Sequence, residues 1–209
     1  YEDANRADGI IFLGYGDYVT YVQKLTHLTE AGTHFIIWGP VLPGQPGVSI
    51  GCDNFNGGYT GTRHLLQLGR TRIAFLGDRS EHSPEFRQRY LGYVKALEEA
   101  GIALDERLQM DAETSEDSGY KAALQLQQRR VDFDSIFGAS DLIAIGAMKA
   151  IEEAGVKIPQ DISVIGFDDV PMASYTYPPL TTIRQNTCLA GELLVANLLK
   201  LVERQKVES

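Results

Sequence analysis

The feature that most constrains this chain is a rhythm in its hydrophobicity: short apolar runs alternate with longer stretches of helical period. The runs are Ile10–Leu13, Phe35–Trp38, Ile73–Leu76, residues 136–137 and residues 162–167, with weaker candidates at Val48–Ile50 and residues 108–110. Runs this short, apolar on both faces, suit strands buried between helix layers, which is the signature of a parallel sheet. The intervening residues 18–31, 56–68, 84–100, 116–129, 141–154 and 187–204 read as helices. Gly32, Gly69, Gly101 and Gly155 each stand just past a helical stretch, where a left-handed residue closes the helix, and Pro159 follows the last of them. Strand–helix alternation on this scale predicts a doubly wound α/β fold. Pro178-Pro179 break the pattern before the last helix, as a crossover or hinge would.

With 209 residues the chain can form one large α/β domain or two lobes of roughly 100 residues each. At 44% hydrophobic and 22% charged, its composition is that of an ordinary globular protein. The net charge of −9 argues against direct DNA binding by these residues, because a nucleic-acid surface needs cations to neutralise phosphates. The densest basic cluster is only Arg129-Arg130. Cys52 and Cys188 form no CxxC and no closely spaced framework, so two free thiols in a reducing cytoplasm are expected. No apolar run reaches the ~18 residues of a membrane span. The opening residues from Tyr1 to Arg6 resemble neither a signal peptide nor an initiator start, so the sequence reads as cut from something longer.

The helix at 141–154 is unusually apolar. Leu142, Ile143, Ala144, Ile145, Ala147, Met148, Ala150, Ile151 and Ala154 cover far more than the stripe of about 100° that suffices for a helix lying on one sheet. Either a second partner, such as another subunit, covers it, or it is simply deeply buried.

Signals for catalysis are weak. Gly14-Tyr15-Gly16 follows a strand, but Val19 stands where a dinucleotide fingerprint needs its third glycine. There is no GxxxxGK[ST] phosphate loop and no GxSxG nucleophile elbow. His27, His34, His64 and His82 show no metal-ligand spacing. No catalytic residue, metal or cofactor is therefore expected. Asp168-Asp169 follow the run at 162–167, where strand ends line a ligand crevice; magnesium binding, ligand hydrogen bonding and turn capping are all open to them. As adjacent residues they are poorly placed for two-carboxylate glycoside chemistry.

Ligand binding is better supported. Trp38-Gly39, Asp78, Ser140 and Asp168 all stand just beyond strand ends, the rim of a cleft. Arg87 and Arg89 lie near the start of the helix at 84–100. A guanidinium fork facing a carboxylate suits a polyhydroxylated ligand, since each holds two vicinal hydroxyls. Trp38 would offer an apolar face to a sugar ring. The plainer alternatives are an N-cap for Ser140, a core position for Trp38, and solvated surface for Arg87 and Arg89.

Several segments resemble the LacI/GalR family of bacterial regulators. They include Ala7-Asp8-Gly9-Ile10-Ile11, Asp53-Asn54 with Gly57-Gly58, the stretch from His64 to Ala74, Arg89-Tyr90-Leu91-Gly92-Tyr93 and Ala139-Ser140-Asp141. The most specific are Ile158-Pro159-Gln160-Asp161-Ile162-Ser163-Val164-Ile165-Gly166-Phe167-Asp168-Asp169 and Pro178-Pro179-Leu180-Thr181-Thr182-Ile183-Arg184-Gln185. The resemblance implies two doubly wound parallel-sheet lobes of the type I periplasmic-binding-protein kind, closing on a small effector, usually a sugar or nucleobase. It puts the crossovers near residues 76–78 and 181–183. The N-terminal lobe would be 1–77 plus 182–209, incomplete and short of a strand, and the C-terminal lobe 78–181. Effector contacts would fall on Arg89, Asp168, Ser140, Ser83 and Glu85, with Trp38 alongside. Dimer contacts would fall on Ile145, Met148, Met172, Tyr175 and Tyr177.

Where some sugar repressors carry an aspartate, this chain has Trp38-Gly39, which argues against a simple galactoside specificity. Trp38 together with Glu85 looks more like regulators of plant-polysaccharide sugars. The resemblance thus implies the effector-binding, dimerising part of a cytoplasmic transcriptional repressor, allosteric and homodimeric. Operator DNA would be contacted only through an N-terminal head outside these residues. The alternatives are a periplasmic sugar-binding protein of the same fold and, less fitting, a sugar-modifying enzyme.

Overall fold

The computed structural model describes residues 7–14 and 17–204. Tyr15 and Gly16 of the Gly14-Tyr15-Gly16 run, and residues 1–6, lie outside the described residues. In chain order the elements are β1 (Ile10–Leu13), α1 (Tyr18–Glu30), β2 (Phe35–Trp38), β3 (Val48–Ile50), α2 (Asn54–Gln67), β4 (Ile73–Leu76), α3 (Pro84–Glu99) and β5 (Gln109–Met110). There follow α4 (Glu116–Gln128), β6 (Ser135–Gly138), α5 (Asp141–Glu153), β7 (Ser163–Asp168), β8 (Thr181–Arg184) and α6 (Thr187–Val202). The α/β reading holds throughout, and both sheets are parallel. Among the described residues no helix is long and apolar enough to cross a membrane.

The chain divides into two units. The first comprises residues 1–52, 81–85 and 186–209. Its described strands pair in the order β1-β2-β3, with Ile11 opposite Ile36 and Ile37 opposite Ser49. Strand alternation sends Phe35 and Ile37 to one face, where they bury Leu25 of α1 together with Ile10, Phe12, Tyr21 and Leu28. On α6, Leu198 and Val202 close over Gly9 at the entry to β1. Ile11 and Leu13 are exposed, as are Leu193 and Leu199 of α6.

The second unit comprises residues 53–80 and 86–185. Its five-stranded sheet has the order β5-β4-β6-β7-β8. The first strand lies inside its edge neighbour and the order then runs outward the other way, which is the doubly wound pattern with its switch point between β4 and β6. Alternation sorts the two faces. Phe137, Ile165 and Phe167 look toward Gly57 and Gly61 of α2, while Gly138 and Gly166 look toward Ala144 and Asp141 of α5. On the α2 face, Phe75 of β4 meets Tyr90 and Tyr93 of α3 and stacks on Phe137, 5.6 Å between centroids.

This division corrects the expected lobe boundaries. β4 was expected to close the N-terminal lobe, but it pairs with β5 and β6, so α2 and β4 belong to the second unit and the first break falls at Cys52–Asp53. Thr181–Arg184, where the later crossover was expected, is an edge strand paired with β7, and the later break falls just beyond it, after Gln185. Residues 81–85 group with the first unit, anchored where Tyr18 N–H donates to His82 O and His82 Nδ1 meets Asp17 Oδ1 at 2.7 Å.

The excess apolar surface of α5 also finds its partner inside the chain. α5 packs on β6 and β7 with one side and on α4 with another. The two helices touch backbone to backbone at Gly119 and Gly146: a Cβ at Gly119 would strike the Ile143 carbonyl, and one at Gly146 the Glu116 carbonyl. Met148, expected at a dimer surface, is 4% exposed within this unit.

Candidate functional site

Arg89 sits in the second turn of α3 and is 4% exposed. It reaches its place because α2 and α3 cross at glycines. A side chain on Gly58 would collide with the Arg89 backbone, and one on Gly92 with Phe55 O and Tyr59 N. At that separation Arg89 Nε donates to Asn54 Oδ1 at 2.8 Å, and Nη1 donates to Ala139 O, the carbonyl just past β6. The guanidinium carbon lies 3.6 Å from the centroid of the Phe167 ring. A cation this deep costs several kcal/mol of lost hydration unless neighbours replace the water. Here two acceptors, an aromatic face and a carboxylate do so: Arg89 Nη1 is 3.5 Å from Asp168 Oδ1.

Asp168 ends β7, and its Oδ1 also accepts from Gln185 Nε2. Oδ2 has no hydrogen-bond partner among the described residues, which leaves it able to accept from a ligand hydroxyl. Burial pushes the Asp168 carboxyl above its ordinary range, against the opposing pull of Arg89 and Gln185. Its backbone is strained: φ is 120° at Asp168 and 58° at Asp169. Such conformations cost about 1–3 kcal/mol each and persist only where the surroundings enforce them.

Asp141, at the first position of α5 and 0% exposed, supplies that enforcement. Its Oδ2 accepts from Val170 N–H at 2.8 Å, and its Oδ1 accepts from the Thr182 hydroxyl. The same hydroxyl accepts from Asp169 N–H, and Asp169 in turn accepts from Arg184 Nε. Burial raises the Asp141 carboxyl above its usual value, opposed by the hydrogen bond from Thr182. The turn carrying Asp168 is therefore gripped from α5 and β8 together.

The sequence-predicted residues fall into two groups. Arg89, Asp168 and Ser140 converge in the second unit, at the strand C-termini around the β4/β6 switch point, where doubly wound sheets take ligands. Ser140 is 1% exposed, and its hydroxyl caps α5 by accepting from Ile143 N–H at 3.4 Å. Trp38, Ser83 and Glu85 belong to the first unit, each half-buried. There a methyl group on Gly39 would stand 3.6 Å from Glu85 Oε1. Burial first and the Glu85 charge second push the phenols of Tyr18 and Tyr21 upward, so Glu85 lies among tyrosines beside the end of β2. Arg87 is exposed. Of the expected dimer residues, Ile145 is half-buried, while Met172, Tyr175 and Tyr177 are 49%, 85% and 90% exposed.

Sequence reasoning missed Asn54, Asp141, Gln185 and Tyr18 as members of these clusters. Asn54, Asp141 and Gln185 do lie inside the quoted motifs, and that was the available signal. Among the described residues no group of three or more His, Cys, Asp or Glu side chains could hold a metal ion.

Residues 62–209 match a periplasmic binding protein-like domain. The chain is 40% identical over 161 residues to the HTH-type transcriptional regulator GalR of Escherichia coli, covering 77% of this chain and 46% of that protein. It is 32% identical over 183 residues to the HTH-type transcriptional regulator CelR of Thermobifida fusca, covering 87% of this chain and 54% of that one. Among solved structures it resembles a transcriptional regulator CelR–cellobiose complex, with a TM-score of 0.89 at 30% identity over 100% of this chain and 63% of the other. The chain spans about half the length of the curated relatives it matches.

Proposed function

The chain belongs to the LacI/GalR family of regulators, and from that premise we propose that it is the effector-reading part of a transcriptional repressor whose effector is a sugar. The observation that carries this reading is the meeting of Arg89 and Asp168 at the sheet's switch point, 3.5 Å apart, with Asn54, Ala139 and Gln185 holding them in place. A fixed cation beside a carboxylate with an open acceptor oxygen matches vicinal hydroxyls, which both donate and accept. Trp38, Ser83, Glu85 and Ser140 are proposed as further contributors, with Trp38 offering a flat apolar face. The solved relative in complex with cellobiose supports a glucoside rather than a galactoside.

The effector acts by biasing two arrangements of the regulator that differ in operator affinity, and it shifts the balance only by its differential affinity for them. Operator DNA is contacted by another part of the regulator, since this stretch carries a net charge of −9. The regulator works as a homodimer, with Ile145, Met172, Tyr175 and Tyr177 at the contact.

A thermal-shift screen with cellobiose, glucose and galactose tests the reading. A ligand at a hundredfold its Kd stabilises the folded state by about 2.7 kcal/mol, on the order of 5–10 °C for a chain of this size. Cellobiose or glucose should raise the melting temperature, and Asp168→Ala should remove the rise while also lowering the unliganded melt, because it takes a carboxylate from beside the buried Arg89. Arg89→Lys should also remove the rise. A sugar response that survives both variants would reject this site.

A further inference from the structure

A second cleft lies at the other end of the same sheet, where β4 and β6 begin. It has a volume of about 430 Å³, within the range of small-molecule sites. The apolar lining that a ligand can reach comes from half-buried Ile102 and Val131 and exposed Ala103, which lie beside the buried Ile73, Tyr93, Leu97 and Leu108. Its rim carries Arg72, Arg107 and Arg130, a concentration of arginine in a chain of net charge −9.

These arginines are not equivalent. Arg107 is held by Asp105, with Nη2 at 2.7 Å from Oδ2, and Arg72 Nε lies 3.7 Å from Asp134. Arg129, outside the rim, has its Nη1 donating to the carbonyls of Arg107 and Gln109, which ties the end of α4 to the start of β5. Arg130 has no ion pair among the described residues. Its backbone is also unusual. Helices α1, α2, α3 and α5 are each followed by a glycine at positive φ, namely Gly32, Gly69, Gly101 and Gly155, whereas α4 is followed by Arg130 at φ 52°. Arg204 after α6 is the other such residue. A glycine would relieve the strain at Arg130, so a side chain stands there that the helix ending alone does not need.

We propose that this cleft is a second small-molecule site, taking an organic anion whose apolar body lies on Ile102, Ala103 and Val131 and whose carboxylate pairs with Arg130. Asp132, also on the rim, disfavours a doubly charged head group, so a monoanionic carboxylate fits better than a phosphate. The site is separate from the Arg89–Asp168 cluster and stands whether or not that cluster binds a sugar.

Titration of the isotopically labelled chain with benzoate, phenyl phosphate and benzyl alcohol, followed through backbone amide shifts, tests it. Benzoate should give saturable shifts at Arg72, Ile102 and Asp132, with phenyl phosphate and the neutral alcohol each binding more weakly. Arg130→Gln should weaken benzoate about tenfold, the scale of one charge-assisted hydrogen bond. Ala103→Trp, which fills the mouth from an exposed position, should abolish the response and leave the rest of the spectrum in place. Unsaturable shifts, equal affinity in Arg130→Gln, a response surviving Ala103→Trp, or saturable shifts confined to Ala139 and Asp168 would each overturn the site. Tighter binding of phenyl phosphate would overturn the carboxylate assignment.

Discussion

The two units use the same strand–helix grammar with different depth of cover. In the second, β4 and β6 are buried at every position and β7 at all but its last. In the first, β1 alternates between half-buried and exposed, and β3 is only half-buried. A parallel strand covered on both faces contributes the whole apolar area of each side chain to stability, whereas a strand covered on one face contributes about half. The strained Asp168 stands in the unit whose central strands are covered on both faces.

The largest effect that would test this contrast is a matched pair of core truncations. Phe75→Ala removes a ring packed against Tyr90, Tyr93 and Phe137 and should cost about 3–5 kcal/mol. Phe12→Ala removes a half-buried ring that meets Tyr21 and Phe35 edge-on, and should cost less than half as much. Urea unfolding followed by the fluorescence of Trp38, the single tryptophan, and by far-UV dichroism measures both. Equal losses would erase the distinction between the units.

A smaller effect sharpens it. Asp141→Ala leaves the Val170 N–H and the Thr182 hydroxyl without their buried acceptor, and should destabilise by about 1–3 kcal/mol. Because those bonds enforce the turn at Asp168, the same variant should also weaken any ligand held there, and Asp141→Asn, which keeps one acceptor oxygen, should recover part of the loss. Loss of stability with ligand affinity untouched would show that Asp141 does not position Asp168.

The same contrast explains what could be read in the sequence. β1, β2, β3 and β4 were legible to the residue, because each is a short apolar run bounded by polar or glycine residues. β8 was expected only as a crossover, through the family resemblance and not from its apolar pattern: Thr181–Arg184 is an edge strand with both ends exposed, so it lacks the two-faced apolar signature. The unit boundary was misplaced because β4 looks like β1 and β2 in hydrophobicity, and only pairing with β5 and β6, distant in sequence, assigns it to a sheet. Arg89 and Asp168 were visible from their positions at a helix start and a strand end. Asn54, 35 residues before Arg89, becomes meaningful only when α2 and α3 meet at Gly58 and Gly92, and Asp141 only when the chain brings Val170, and Thr182 of β8, to it.

Proton uptake should differ in sign between the units. In the first, the hydrogen bond from His82, aided by that from Thr20, lowers Asp17 from its ordinary 3.8 to about 2. Its contribution to stability is complete above 3.8 and disappears as pH falls toward 2. In the second, burial raises Asp141 and Asp168, so the folded state binds their protons more tightly than the unfolded chain does. Their contribution is greatest below 3.8 and declines as pH rises through the folded-state values. Carboxyl carbon shifts titrated by magnetic resonance should place the Asp17 midpoint below 3.8 and those of Asp141 and Asp168 above it. Midpoints in the reverse order would contradict the hydrogen-bond assignments.

The smallest effect is expected on α6. Leu193 and Leu199 are 41% and 56% exposed, so in an isolated chain Leu199→Ser should alter stability by no more than about 0.5 kcal/mol. The contrast is with Leu126 of α4, fully buried, where truncation to Ala should cost about 2–5 kcal/mol. A loss at Leu199 approaching that at Leu126 would mean that α6 is covered in solution by something beyond its own unit. Sedimentation at several protein concentrations would then separate cover by a second copy, which makes the loss concentration-dependent, from cover within one chain, which does not.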